Sequence, residues 1–298
     1  MRKIGIIGMG NMGLSMSKAL LRGGCQVLGY DLRRDALDCL GSLGGIPANS
    51  SQEVAESAAV VLLSLPNSAI TEQVVLGERG LLAGIGGDSL VVDMGSSVPS
   101  STRMLATRLA EKKAAMLDAP VSGGPKGAEA GTLAIIVGGA VENVERALPV
   151  LRLLAPAEKI IHVGPLGSGH LLKAVNNYLY ATALWASSEA FVVAVKAGLD
   201  VKTVLKVLSN SSGYNRAVHD NIPNQVFDRS FPPAFALGLL SKDLNTFFTI
   251  AAEFGVRIPL ATQLKELIEA GVEELGAEVG DSRLITLLER SAGVEVKG

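Results

Sequence analysis

Ile4-Gly5-Ile6-Ile7-Gly8-Met9-Gly10-Asn11-Met12-Gly13 decides the reading of this 298-residue chain. A short apolar run ends in G-x-G-x-x-G and passes straight into a helical pattern over residues 12–22. In that arrangement the first glycine permits the tight turn, the second lets backbone approach a pyrophosphate, and the third lets helix pack close to strand. The phosphates then lie at the positive end of the helix dipole, against backbone N–H groups. The motif alone is a weak signal, and its context strengthens it. A second apolar run, residues 26–30, leads into Asp31, about 20 residues on, where a carboxylate accepts hydrogen bonds from the adenosine ribose hydroxyls. Gly8, Met9, Gly10, Asn11, Met12, Gly13 and Asp31 are therefore the expected cofactor-binding residues. A carboxylate at Asp31 repels a 2′-phosphate, which favours NAD. Arg33 and Arg34 keep NADP open, because an arginine there can meet that phosphate; the alternative is that both simply face solvent.

Outward from the loop, short apolar runs alternate with amphipathic stretches. Residues 4–7, 26–30, 60–65, 90–93, 115–118 and 133–137 read as strands, with helices over 12–22 and from about residue 35. Nearly continuous apolar strands separated by helices specify a mostly parallel sheet covered on both faces. After about residue 160 helical spacing dominates. A proline-free run over 169–197 reads as one long helix stopped by Gly198, and further helices are expected over 201–209, 239–254 and 259–275. The polar, proline-containing segment 210–233 reads as a loop or short helices. The expected architecture is α/β. Residues 1–163 form an N-terminal Rossmann domain with a parallel-rich, doubly wound sheet. A long interdomain helix then leads into an all-α C-terminal domain, 164–298, for substrate or oligomerisation.

Composition excludes several classes. Hydrophobic residues make up 48% and charged residues 19%, enough for packed cores and too little charge for disorder. A net charge of −2 leaves no electrostatic footprint for nucleic acid, and 4% aromatics supply few stacking platforms for single strands. Cys25 and Cys39 stand in no CxxC pair, as expected for reduced thiols of a cytoplasmic protein. His162, His170 and His219 are too scattered to hold a metal, and none is expected. The most apolar stretch, 181–197, carries Glu189 and Lys196, which marks a buried helix rather than a lipid-facing one; no membrane partner is expected. The opening residues superficially resemble a signal peptide, but Gly5, Gly8, Gly10 and Gly13 break its apolar core, so they are read as a first strand.

Two stretches carry the chemistry. Asp118-Ala119-Pro120-Val121-Ser122-Gly123-Gly124-Pro125 can aim a hydroxyl and successive N–H groups at an anion such as a carboxylate, or else serve only as a turn. Gly167-Ser168-Gly169-His170-Leu171-Leu172-Lys173-Ala174-Val175-Asn176-Asn177 opens the long helix, with Lys173 and Asn177 four apart on one face. Polar side chains on an otherwise apolar helix are costly to bury unless they line a cavity. Desolvation lowers a lysine pKa, and a lysine titrating nearer neutrality can exchange a proton during hydride transfer. Spacing alone leaves open a lysine that merely snorkels to the surface. Leu65-Pro66 and the segment Asp93 to Ser97 close two strands, where ligands of open parallel sheets lie. His170, His219 and Arg216 can each be read as ligand contacts or as ordinary loop residues, with Arg216 placed to meet a second anionic group on a substrate.

Four blocks in order, Gly8 to Gly13, Asp118 to Gly124, Gly167 to Asn177 and Ser241-Lys242-Asp243-Leu244, resemble the β-hydroxyacid dehydrogenase family, which includes 3-hydroxyisobutyrate dehydrogenase and tartronate semialdehyde reductase. The resemblance spans nearly the whole chain. It implies an oxidoreductase moving a hydride between NAD(P) and a small β-hydroxy acid, or reducing the matching semialdehyde. It further implies that Lys173 is the acid/base, that Asn177 orients substrate, and that Ser122, Gly123 and Gly124 form the substrate-carboxylate loop. Lys242 matches a lysine reaching toward cofactor and substrate, with Asp243 its acidic neighbour. Leu65 and Pro66 match a cofactor-contacting turn, and Ser96 a position near the nicotinamide ribose. Here Gly95-Ser96-Ser97 stands where relatives often have Ser-Thr, which puts that last register in doubt by one residue. A homodimer or homotetramer is expected. The alternatives are an imine reductase-like or decarboxylating enzyme, which Lys173 with Asn177 and the short chain oppose, and a non-catalytic NAD-binding regulator, which would not need all four blocks.

Overall fold

A computed structural model describes residues 2–298. Contacts divide the chain into two compact units, one reaching to Lys173 and the other spanning Ala174–Gly298. The sequence reading divides the chain at 163/164. The contact boundary falls later because the first turn of the long helix is hydrogen-bonded into the first unit.

Strands β1 (Lys3–Ile7), β2 (Gln26–Tyr30), β3 (Ile46–Pro47), β4 (Val60–Leu63), β5 (Leu90–Asp93), β6 (Ala115–Asp118), β7 (Val121–Ser122), β8 (Ala134–Gly138) and β9 (Ile160–Gly164) form one sheet. The order is β3-β2-β1-β4-β5-β6-β8-β7, with β9 on β8. Pairing is parallel from β3 through β6, antiparallel at β6–β8 and β7–β8, and parallel at β8–β9. The order reverses at β1, flanked by β2 and β4, so the glycine loop leaves the sheet at its switch point, where such sheets bind ligands. Strand side chains alternate between two separate cores. Ile4, Ile6, Leu62, Leu90 and Val92 pack with helices α1 (Asn11–Arg22) and α2 (Arg34–Ser42). Ile7, Val61, Leu63 and Val91 pack on the other face with α3 (Ser51–Ser57) and helix Pro99–Ala110. Both faces are apolar, so these strands read as continuous runs. The strands β3, β7 and β9 were not expected. Two of them are two residues long, and β9 has exposed residues, so neither pattern reaches a legible period.

The long helix, Ser168–Lys196, begins in the first unit and continues through the second. In the second unit follow Val201–Leu208, a π-helix Ala217–Val226, Leu237–Glu253, Pro259–Leu275, a 3-10 turn Asp281–Leu284 and Ile285–Ala292. Leu184 and Trp185 of the long helix pack with Leu240, Leu244, Leu264 and Ile268; Phe191 and Val192 pack with Val218, Ile222 and Val226. The segment expected as a loop or short helices, 210–233, is turns and irregular chain around one short helix, the π-helix Ala217–Val226. Two of its polar residues are drawn into the core side: Asn215 bonds Ser187 and accepts from Val218 N, and buried Asn221 donates to Tyr180. By length and composition the long helix could cross a bilayer. Asn177, Trp185, Ser187 and Ser188 of that helix are instead buried with partners, as in a core helix.

Candidate active site

The glycine loop is built by close approach. Gly8 has φ +95°, and a Cβ there would stand 2.3 Å from Ser64 O; a Cβ on Gly13 would stand 1.9 Å from Gly8 O. No protein atom lies within 4 Å of a Cβ placed on Gly10. Helix α1 begins at Asn11 without a side-chain cap and without an acidic residue in its first turn. A pyrophosphate fits this cradle: Gly10 leaves room for its approach, and uncapped N–H groups can donate to an anion. Asp31 follows β2. Its Oδ2 accepts from Met9 N at 2.7 Å and its Oδ1 from Arg33 N at 2.8 Å, so it also shapes the loop it was expected to complement. Arg33 folds back, with Nε 3.4 Å from Asp31 Oδ1.

The turns after β4 and β5 are pressed together, since a Cβ on Gly95 would stand 2.7 Å from Leu65 O. Asp93 forms the second turn: its Oδ1 accepts from Gly95 N and its Oδ2 from Ser97 Oγ, each at 2.9 Å. Ser97 is buried and Ser96 half-buried. After β6, Ser122 pairs with Ala134 of β8, and Gly123 and Gly124 follow with φ +129° and +65°. Two successive left-handed residues turn their N–H groups into a concavity suited to an anion.

Asp118, the last residue of β6, is fully buried. Its Oδ1 accepts from Gly167 N at 2.7 Å and its Oδ2 from His170 N at 2.8 Å. The His170 ring is buried, 1% exposed, with Nδ1 2.8 Å from Thr102 Oγ1. Lys173 is half-buried one turn further on. In the second unit, Asn177 is buried and donates to Asp243 Oδ2, while its Oδ1 accepts from Asn176 at 2.9 Å. Lys242 Nζ lies 2.7 Å from Asp243 Oδ1. Asp243 therefore binds Asn177 and Lys242 together, a role the sequence could not assign because its partner lies 66 positions away. One turn beyond Asn177, Tyr180 donates to Asp281 Oδ2 at 2.6 Å and accepts from Asn221 at 2.8 Å. Burial pushes Asp281 up to about 6 and Tyr180 far above its usual range. His219 and Arg216 are exposed and pair with Asp220. Among the described residues no group of three or more His, Cys, Asp or Glu side chains is placed to hold a metal.

A dinucleotide cradle at the switch point of a parallel sheet, followed by a helical unit, defines an NAD(P)-binding oxidoreductase. Comparisons carry this further. The description "NAD binding domain of 6-phosphogluconate dehydrogenase" matches residues 3–164, and "NAD-binding of NADP-dependent 3-hydroxyisobutyrate dehydrogenase" matches 167–288. The chain is 36% identical to 2-(hydroxymethyl)glutarate dehydrogenase of Eubacterium barkeri, over 99% of this chain and 98% of that protein. It is 35% identical to 3-hydroxyisobutyrate dehydrogenase of Pseudomonas aeruginosa, over 90% and 91%. The solved structure of Mycobacterium tuberculosis 3-hydroxyisobutyrate dehydrogenase with L-serine superposes with TM-score 0.90 at 32% identity, covering 97% of this chain and 99% of that one. The chain belongs to the β-hydroxyacid dehydrogenase family and is an NAD(P)-dependent enzyme acting on hydroxy acids or their semialdehydes. Imine reductases at 16–20% identity share its fold alone.

Proposed function

We propose that this enzyme oxidises a short β-hydroxy acid, or reduces its semialdehyde, with Lys173 as acid/base and NAD preferred. The observation carrying the reading is one helix bearing a half-buried Lys173 and, one turn on, a buried Asn177 fixed by Asp243. Bound nicotinamide supplies the hydride acceptor or donor. In oxidation, neutral Lys173 takes the hydroxyl proton as the alcohol carbon gives up its hydride; in reduction, protonated Lys173 returns it to the carbonyl oxygen. Asn177 orients the substrate hydroxyl, and its own amide is oriented by Asp243. Ser122 and the N–H groups of Gly123 and Gly124 receive the carboxylate. Leu65, Pro66, Ser96 and Lys242 are assigned to cofactor binding by the family resemblance. Asp31 supports NAD preference, and Arg33 folded onto it limits the welcome a 2′-phosphate would receive.

The test is a panel of 3-hydroxyisobutyrate, L-serine, 2-(hydroxymethyl)glutarate and 2-hydroxy-3-oxopropionate with NAD(H) and NADP(H), followed by dinucleotide absorbance. Turnover of at least one, abolished in Lys173→Ala with NADH binding retained, is the expected result. Retained turnover in that variant removes Lys173 from the mechanism. We further propose a homodimer or homotetramer. Its support is the stripe Leu172, Leu179, Ala186 and Val193, repeating every seven residues along the long helix, with Leu179 60% and Val193 68% exposed. Free Cys25 and Cys39 support a cytoplasmic location.

A further inference from the structure

The residue before the long helix is Gly167, which has no side chain to cap it. A serine or aspartate beside the first turn is the ordinary, inexpensive cap. Here the cap comes from another element. Both oxygens of Asp118, at the end of β6, accept from backbone N–H groups of the helix start, Gly167 N and His170 N. Two glycines make the room: a Cβ on Gly138 would stand 2.4 Å from Asp118 Oδ1, and one on Gly169 would stand 2.9 Å from Oδ2. Burying a carboxylate costs far more than an exposed cap, so end-capping alone does not account for it. What it adds is location, since the helix start is fixed to a particular strand end.

His170 extends the attachment. Its Nε2 lies 3.7 Å from Asp93 Oδ2 and its Nδ1 3.9 Å from Asp118 Oδ2, while Thr102 meets Nδ1 at 2.8 Å. Asp93 in turn shapes the turn bearing Ser96. Asp118 therefore ties the helix start to the end of β6, and the His170–Thr102 bond ties it to helix Pro99–Ala110, with Asp93 at the end of β5 packed against the imidazole; Lys173 stands about 4.5 Å of helix rise beyond His170.

We propose that Asp118 and His170 are positioning residues for Lys173. They fix the first turns of the helix to the strand ends, and so fix the point at which the amine meets the reacting oxygen. This rests on the role of Lys173 given above. Displacing a catalytic group by about 1 Å can lower turnover about 10²-fold without touching binding.

The test compares Asp118→Asn and His170→Asn with the unchanged protein, using L-serine and 3-hydroxyisobutyrate, each protiated and deuterated at C3. Asp118→Asn is isosteric but turns an amide N–H toward a backbone N–H. Expected are a kcat about 10²-fold lower for Asp118→Asn and about tenfold lower for His170→Asn, with NADH affinity and KM unchanged and a larger primary isotope effect. A kcat that falls only in step with lost NADH-binding sites, at unchanged isotope effect, assigns the network to stability and overturns the proposal. So does an unchanged kcat. If Asp118→Asn fails to fold, His170→Asn decides on the same criteria. If the unchanged protein oxidises neither substrate nor any other panel member, the functional reading fails and this inference with it. An active parent with unaffected variants overturns this inference alone.

Discussion

Replacing Asp281 with asparagine should flatten the pH dependence of stability in the helical unit. Asp281 is 1% exposed, and burial raises its carboxyl from 3.8 to about 6 against the bond from Tyr180. The folded state therefore holds a proton that the unfolded chain has released between those two values. Stability from this group is fully present below about pH 4 and is lost as pH rises through about 6. A shift of roughly 2 pH units corresponds to about 3 kcal/mol in full, of which about 1.3 kcal/mol is lost between pH 5 and 7. The amide introduced by Asp281→Asn would keep an oxygen for the Tyr180 hydroxyl and carry no charge at any pH. The assay is urea unfolding followed by the fluorescence of Trp185, the single tryptophan, which is buried in this unit. The difference between parent and variant, rather than either curve, isolates Asp281 from other titrating groups. It should change by about 1.3 kcal/mol between pH 5 and 7, the variant gaining relative to the parent as pH rises. Parallel curves would show that the Tyr180–Asp281–Asn221 network holds the ionised carboxylate without penalty, and would refute the reasoning.

Three further outcomes follow from the geometry. Gly13→Ala forces a methyl into Gly8 O and should cost about 1–3 kcal/mol of stability by denaturant unfolding. Gly10→Ala meets no protein atom, so stability should hold within about 0.5 kcal/mol while the NADH Kd, by fluorescence titration, rises about tenfold. Arg229 holds the buried Glu289 with NH1 at 2.6 Å and NH2 at 2.9 Å; Arg229→Ala leaves that carboxylate uncompensated and should cost about 3 kcal/mol, measured by Trp185 fluorescence in urea.

What was legible in the sequence was local. The glycine loop, Asp31 and the strands β1, β2, β5 and β6 lie within short windows whose chemistry is self-contained, and the structure forms each of them. The long helix was legible because an apolar run without proline has few other outcomes. Illegible were the features made by partners far apart in the chain. Asp118 reaches the helix start across 49 and 52 positions, Asp243 reaches Asn177 across 66, and Asp281 reaches Tyr180 across 101. In each case sequence pattern showed an acidic residue near an apolar run, which is as compatible with a solvated strand or helix end as with a buried acceptor.

That division has a physical basis. Binding a pyrophosphate needs backbone geometry, which glycine spacing encodes directly. Placing Lys173 needs the relative position of two strand ends and a helix start, which no local pattern encodes. The molecule fixes that position with a buried carboxyl group: moving the helix start away from Asp118 would leave its oxygens and the Gly167 and His170 N–H groups buried and unpaired. An exposed cap can exchange its bond for water when the helix shifts, whereas a buried acceptor cannot. His170, which the sequence leaves open between a ligand contact and an ordinary loop residue, is buried beside those strand ends, with Nδ1 2.8 Å from Thr102 Oγ1 and Nε2 3.7 Å from Asp93 Oδ2, a placement set by partners 68 and 77 positions away.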